Sequence, residues 1–239
     1  MNPTLEFHYV SHTYNSGRVA SHALRQVTFS VSPGEMVALM GPSGSGKSTV
    51  LRIAGGLETP TKGQVLVEGV ALRDQSATEL AAVRRRAIGY VFQEYNLVPS
   101  LTVVENASLP LELDGVSIRL ARVQAMGALA DVDMDSMADH FPDDLSSGEQ
   151  QRTAIARAIV GNRRLILADE PTGALDTLGG EGVMRLLRGL CDRGQSAIIA
   201  THDATHASWA DRVLFLRDGS LVDQARHAGP EVLLGSGRH

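Results

Sequence analysis

The stretch with the clearest chemical content is Gly41-Pro-Ser-Gly-Ser-Gly-Lys-Ser-Thr49. Its spacing is G-x-x-x-x-G-K-[ST], a loop whose backbone cradles phosphate. Gly41, Gly44 and Gly46 let the chain turn tightly enough for successive N–H groups to face one anion, with Pro42, Ser43 and Ser45 filling the loop between them. Lys47 supplies a cation for β- and γ-phosphates, and the hydroxyl of Ser48, beside Thr49, is placed to hold Mg²⁺. The motif works only between a strand and a helix. Met36–Met40 is apolar and strand-like, and Val50–Ala54 reads as helix, whose positive N-terminal end adds to the cradle.

Leu165-Ile-Leu-Ala-Asp169-Glu170 is the second such stretch. An apolar strand delivers two adjacent carboxylates at its C-terminal end, where α/β proteins bind ligands. Asp169 fits a Mg²⁺-holding role, and Glu170 fits the orientation and deprotonation of an attacking water. Leu145-Ser-Ser-Gly-Glu-Gln-Gln-Arg152 lies just upstream. A serine-rich helix start presents free N–H groups and a positive dipole end, so it is a second phosphate-binding device. A nucleotide already held by the first loop has no need of it within the same subunit. The alternative is a capped helix start with Ser146 or Ser147 as the cap.

The chain of 239 residues suffices for one large α/β domain or two small ones, and 43% hydrophobic residues suffice for a core. A net charge of −5 argues against nucleic acid as the main partner. A single cysteine, Cys191, excludes a disulfide framework and a cysteine metal site. The N-terminus has no secretory-signal pattern, and no apolar run approaches the ~20 residues that span a bilayer. Any membrane link is therefore expected through a partner.

The periodicities lay out the frame. Leu5–Val10 and Val27–Val31 alternate as half-buried strands, Ser32-Pro-Gly34 reads as a turn, and Gly63–Gly69 holds another short strand. Together they suggest an antiparallel layer. Ser76-Ala-Thr-Glu79 is a capping box opening a helix through Arg86, and Ile88–Phe92 is strand. From Thr102 to Asp139 the pattern is helical, with a capping box at Thr102–Glu105 and with Pro99, Pro110, Gly115 and Pro142 as punctuation. Helices are predicted over Ser147–Val160, Thr177–Arg193 and Ala204–Ala210, and strands over Leu165–Ala168 and Ala197–Thr201. Asp218-Gly219 reads as a two-residue hairpin tip. The predicted class is α/β: a P-loop NTPase core with a mostly parallel sheet, an antiparallel β layer and an inserted helical subdomain. The core is expected over 1–93 and 144–226, the insert over 94–143, and a tail over 227–239.

Over residues 4–224 the sequence resembles the ATPase subunits of ABC transporters. Residues 145–149 resemble their hallmark Leu-Ser-Gly-Gly-Gln, and the order of phosphate loop, Gln93, signature, Asp169-Glu170 and His202 is theirs. The resemblance implies ATP and Mg²⁺, a second ATPase subunit in a homodimer, and a transmembrane permease that brings the protein to the cytoplasmic face of the cell membrane. It implies that Ser146, Ser147, Gly148 and Glu149 close over ATP held by the opposite subunit. It also implies that Tyr14 stacks on adenine, for which Tyr9 is the neighbouring alternative and a core tyrosine the plain one. Gln93 would sense Mg²⁺ and water, Asp176 would reach across the dimer or cap the next helix, and His202 would contact the γ-phosphate. Ser147 and Glu149 depart from the hallmark; a serine is tolerable there only if its φ is negative.

Phe92 to Leu111 resembles lipoprotein-release, macrolide- and peptide-export and cell-division ATPases. That branch implies export or mechanotransmission, with a non-transport regulator of a cell-wall or division enzyme as the alternative. Tyr95, Leu97, Val98 and Leu101 are its candidates for a groove that takes a permease helix.

Overall fold

The computed structural model describes residues 2–16 and 19–226; the expected tail at 227–239 lies outside them. The chain builds two sheets. An antiparallel one contains β1 (Leu5–Ser16), β2 (Val19–Val31), β4 (Lys62–Val67) and β5 (Val70–Ala71), in the order β2-β1-β4-β5. The other is six-stranded, with β3 (Met36–Met40), β6 (Ile88–Val91), β7 (Leu165–Asp169), β8 (Ser196–Ala200), β9 (Arg212–Arg217) and β10 (Ser220–Arg226), in the order β10-β9-β3-β8-β7-β6. Its pairings are parallel except β9 with β10.

The apolar runs that looked like buried strands are buried because both faces of this sheet are covered. On β3, Met36, Ala38 and Met40 join one cluster, while Val37 and Leu39 join another. The first cluster includes α3 (Val103–Glu112), α4 (Ile118–Ala130), α5 (Ser147–Ile159) and α6 (Thr177–Asp192). The second joins α1 (Lys47–Ala54) to the antiparallel sheet through Leu5, Phe7, Val65 and Val67. Helix α1 is thus gripped between two sheets, with Val50, Leu51, Ile53 and Ala54 buried.

Local signals hold where chemistry is local. Ser76 and Thr102 each close a capping box, with Glu79 at the start of α2 (Ala77–Arg86) and with Glu105 at the start of α3. Asp218 (φ 49°) and Gly219 (φ 78°) both take the left-handed turn conformation that a two-residue hairpin of primed type demands. Elsewhere the structure differs from the sequence pattern. β1 and β2 run well past the alternating segments, because irregularities at Phe7/Val10, Val10/His12 and His12/Thr13 break the period of two. Pro110 lies inside α3 rather than between helices, in its last turn, where it removes one backbone donor of the helix. The short helix α7 (Ala204–Ala207) stops before Ala210.

Close backbone approach sets one glycine. A Cβ on Gly89 of β6 would sit 2.0 Å from the Ala158 carbonyl of α5. Gly89→Ala is expected to lift α5 off β6 and to cost about 2–3 kcal/mol, read as a lower urea midpoint. A midpoint equal to the parent's would mean that the contact is not needed.

Candidate functional site

Three parallel neighbours, β8, β7 and β6, lie in order beside β3, and all four strands point their C-terminal ends the same way. β3 runs into the glycine loop, β6 ends just before Gln93, β7 ends at Asp169, and β8 ends just before His202. Residues distant in sequence therefore meet along one edge. A cleft of ≈ 980 Å³ opens there, and Ser43, Gly44, Gly46, Lys47, Ser48 and Thr49 line its floor.

Backbone crowding explains the loop. Gly41 (φ 154°) would place a Cβ 2.1 Å from the Leu216 carbonyl, and Gly46 (φ 108°) one 2.6 Å from the Ala23 carbonyl. Gly46 is the N-cap of α1 and no side chain caps that end, so its N–H groups remain available to an anion. Lys47 Nζ donates to the Gly41 carbonyl at 2.7 Å and the Pro42 carbonyl at 3.2 Å, which holds the ammonium across the loop. Pro42 and Ser43 are exposed, whereas Ser45 is buried beneath the loop with an unpartnered Oγ.

Asp169 is 8% exposed. Burial pushes its carboxyl above the usual range; the Ser48 hydrogen bond and the Lys47 charge oppose that, and the Glu170 charge adds to it. Hydroxyl, carboxylate and the nearby Gln93 amide are the hard oxygen donors that Mg²⁺ prefers. Among the described residues no cluster of three or more His, Cys, Asp or Glu stands ready as a cage. That suits an ion bound by few protein groups together with phosphate oxygens. The donor set of Ser48, Asp169 and Gln93 fits the chemistry of Mg²⁺.

Glu170 adopts φ 47°, a left-handed conformation costing roughly 1–2 kcal/mol for a residue with a Cβ. Its N–H donates to the Ala200 carbonyl at 2.9 Å, and its carbonyl accepts from Gly173 at 3.0 Å. These bonds hold the turn that swings its side chain into the cleft, where Oε1 lies 2.9 Å from His202 Nδ1. The imidazole is largely exposed and the carboxylate largely covered.

Tyr14 lines the cleft, and Tyr9 does not; Tyr9 is turned outward by its own bulge (φ 49°, 70% exposed). Tyr14 Oη donates to Glu58 Oε2 at 2.5 Å and lies 3.4 Å from Thr49 Oγ1. Burial and then that Glu58 hydrogen bond raise its phenol pKa. Its ring stands edge-on to His12, and Arg52 pairs with the same Glu58. Ser21, His22 and Ala23 also line the cleft and were missed from sequence, because the irregular pairing of β1 with β2 brings them there without any periodic signal.

The signature residues stand apart. Ser146, Ser147, Gly148 and Glu149 contribute nothing to the lining of this cleft. Ser146 caps α5 in a capping box: Glu149 Oε2 accepts from the Ser146 N–H at 2.8 Å and from its hydroxyl at 2.6 Å. Those bonds hold the Glu149 carboxyl below the usual range. Ser147 lies in the first helical turn without a positive φ, so its departure from glycine introduces no backbone strain. Asp176 caps α6, with Oδ1 accepting from the Gly179 N–H at 2.8 Å. Tyr95, Leu97, Val98 and Leu101 are half-buried and do not line the neighbouring cleft of ≈ 360 Å³, whose walls include Tyr90, Leu109, Pro110, Leu113 and Arg157.

Comparison with known proteins extends the geometry. Residues 24–173 match the family model described as ABC transporter. The macrolide export ATP-binding/permease protein MacB of Brucella melitensis is 43% identical over 220 residues, covering 92% of this chain but 34% of that protein. This chain therefore spans about a third of that relative's length. The ABC transporter ATP-binding protein MJ0796 of Methanocaldococcus jannaschii is 42% identical, with 92% of this chain and 96% of that one covered. A dimeric structure of the MJ0796 cassette superposes with a TM-score of 0.89 at 40% identity, covering 94% and 99% of the two chains. A second dimeric structure of that cassette, in a post-hydrolysis state with ADP and Pi, matches equally well. The family match across most of the cleft and the near-complete superposition together mean that this chain belongs to the ABC transporter family, as an ATP-binding cassette that hydrolyses ATP.

Proposed function

We propose that this cassette is the ATP-driven engine of a membrane transport complex, working as a dimer that sandwiches ATP between two copies. The observation that carries the reading is the separation within one chain of two phosphate-binding devices. The glycine loop and Asp169-Glu170 line the cleft, and the start of α5 does not. A second copy would supply the missing wall, as the dimeric MJ0796 structures suggest by analogy.

In this reading the loop amides and Lys47 bind the β- and γ-phosphates, with Lys47 exchanging a loop carbonyl for phosphate oxygen. Tyr14 packs on the adenine from the cleft rim. Ser48, Gln93 and Asp169 hold Mg²⁺, which when bound neutralises charge on the phosphate oxygens. Glu170 accepts the proton of the attacking water, and His202 keeps that carboxylate aimed and donates toward the γ-phosphate. Ser146 to Glu149 of the second copy present their helix end to the same phosphate, and Asp176 faces the dimer seam. The insert is assigned to 94–143, between core segments 1–93 and 144–226.

A permease subunit is the proposed partner, since MacB unites ATP-binding and permease functions by name. No helix among the described residues is long and apolar enough to cross a membrane. The cassette would sit at the cytoplasmic face in the export or mechanotransmission branch, and the macrolide-export name of the MacB relatives supports export.

Glu170→Gln is expected to keep ATP binding, to lose at least about a hundredfold in hydrolysis, and to run as a dimer with ATP in size-exclusion light scattering. A variant that hydrolyses at the parental rate sinks the base assignment, and one that stays monomeric at saturating ATP sinks the sandwich. Lys47→Ala is expected to weaken nucleotide binding at least about tenfold. An unchanged calorimetric affinity would contradict the phosphate role of Lys47.

A further inference from the structure

Arg157 sits on α5 about three turns beyond Ser146. Its Nη1 donates to the Asn96 carbonyl at 2.5 Å and its Nη2 to the Tyr95 carbonyl at 2.7 Å. Both acceptors belong to the segment that leaves Gln93, and Asn96 is held in a left-handed conformation (φ 49°). Among the described residues no carboxylate pairs with this guanidinium, and desolvation lowers its pKa. An apolar side chain would fill the same space at lower cost if packing were all that was needed. The neighbouring Arg163 is also held by carbonyls, those of Arg157 and Ala158 at the C-terminal end of α5 and that of Arg85. Arg157 holds the segment that leaves Gln93.

The far end of that segment is anchored separately. The fully buried Asn106 of α3 accepts from the Val98 N–H at 2.8 Å and donates to the Val98, Leu101 and Thr102 carbonyls. The near end follows β6, whose Gly89 lies directly against Ala158 of α5. Arg157 and Gly89 therefore fasten both sides of Gln93 to a single helix. The opposite end of that helix carries Ser146 to Glu149.

We propose that Arg157 is a positioning residue for Gln93: its two hydrogen bonds strap the Gln93 loop to α5, so that Gln93 meets the metal-and-water site only while α5 is seated. This rests on the role given to Gln93 above. A displacement of α5 is then transmitted to Gln93 as a pull on two carbonyls.

The test is a double-mutant cycle in the full chain, reading kcat, nucleotide affinity and urea midpoint for Arg157→Met, Gln93→Ala and the double variant. Arg157→Met is expected to lower kcat about tenfold with ATP affinity within about twofold of the parent. In the double variant kcat is expected to equal that of Gln93→Ala alone, because Arg157 acts only through Gln93. Arg157→Lys, which can reach one carbonyl, is expected to fall between parent and Arg157→Met, and it replaces Arg157→Met in the cycle if that variant does not fold. Losses that multiply in the double variant overturn the strap while leaving Gln93 its role. So does a variant that loses stability but keeps the parental kcat. A Gln93→Ala variant with undiminished kcat overturns the role of Gln93, and the strap with it.

Discussion

Burial of the parallel sheet on both faces is the constraint from which the rest follows. With helices on one side and α1 plus the antiparallel sheet on the other, β3, β6, β7 and β8 offer no polar surface along their length. Polar function is displaced to the ends of the strands. Because the strands are parallel, their C-terminal ends share one edge, and the glycine loop, Gln93, Asp169-Glu170 and His202 are adjacent by topology. The same burial seats α1 between the two sheets, with its uncapped N-terminal end at the glycine loop.

The starts of α1 and α5 are built differently. At α1 the N-cap is Gly46, with no side chain to satisfy the first N–H groups. At α5 the N-cap Ser146 is engaged by Glu149 of its own first turn. The first end keeps its N–H groups free of any side-chain cap; the second keeps its hydroxyl on an internal carboxylate, a bond that in the proposed dimer a phosphate from the other copy would exchange. Asp169 sits in the cleft as a buried carboxylate opposed by Ser48 and Lys47, so the site carries its charges close together before any ligand adds to them.

Strain and desolvation accompany several of these groups. Glu170 holds a left-handed backbone at the end of β7, Gly41 and Gly46 sit where no Cβ fits, and Arg157 faces only carbonyls. Each is costly in isolation and each lies next to the cleft or to the segments leading from it. Local signals and structure agree at the capping boxes that begin α2 and α3 and at the primed turn where β9 meets β10.

The sequence by itself determined whatever depends on neighbours in the chain. The phosphate loop, the Asp169-Glu170 pair, the capping boxes at Ser76 and Thr102 and the Asp218-Gly219 hairpin are short-range patterns with short-range physics. Asp176 was readable as a cap for the same reason. Tertiary structure alone decided what depends on distant approach. The bulges of β1 turned Tyr9 out and left Tyr14 at the cleft, and they brought Ser21, His22 and Ala23 to its wall from residues with no alternation. The helical context absorbed Pro110, and it let Ser147 replace a glycine because that position has no positive φ. The bonds of Arg157 to Tyr95 and Asn96 cross about sixty residues of sequence. No local spacing encodes such a bond, since it exists only once packing against β6 has set the distance between α5 and the Gln93 loop.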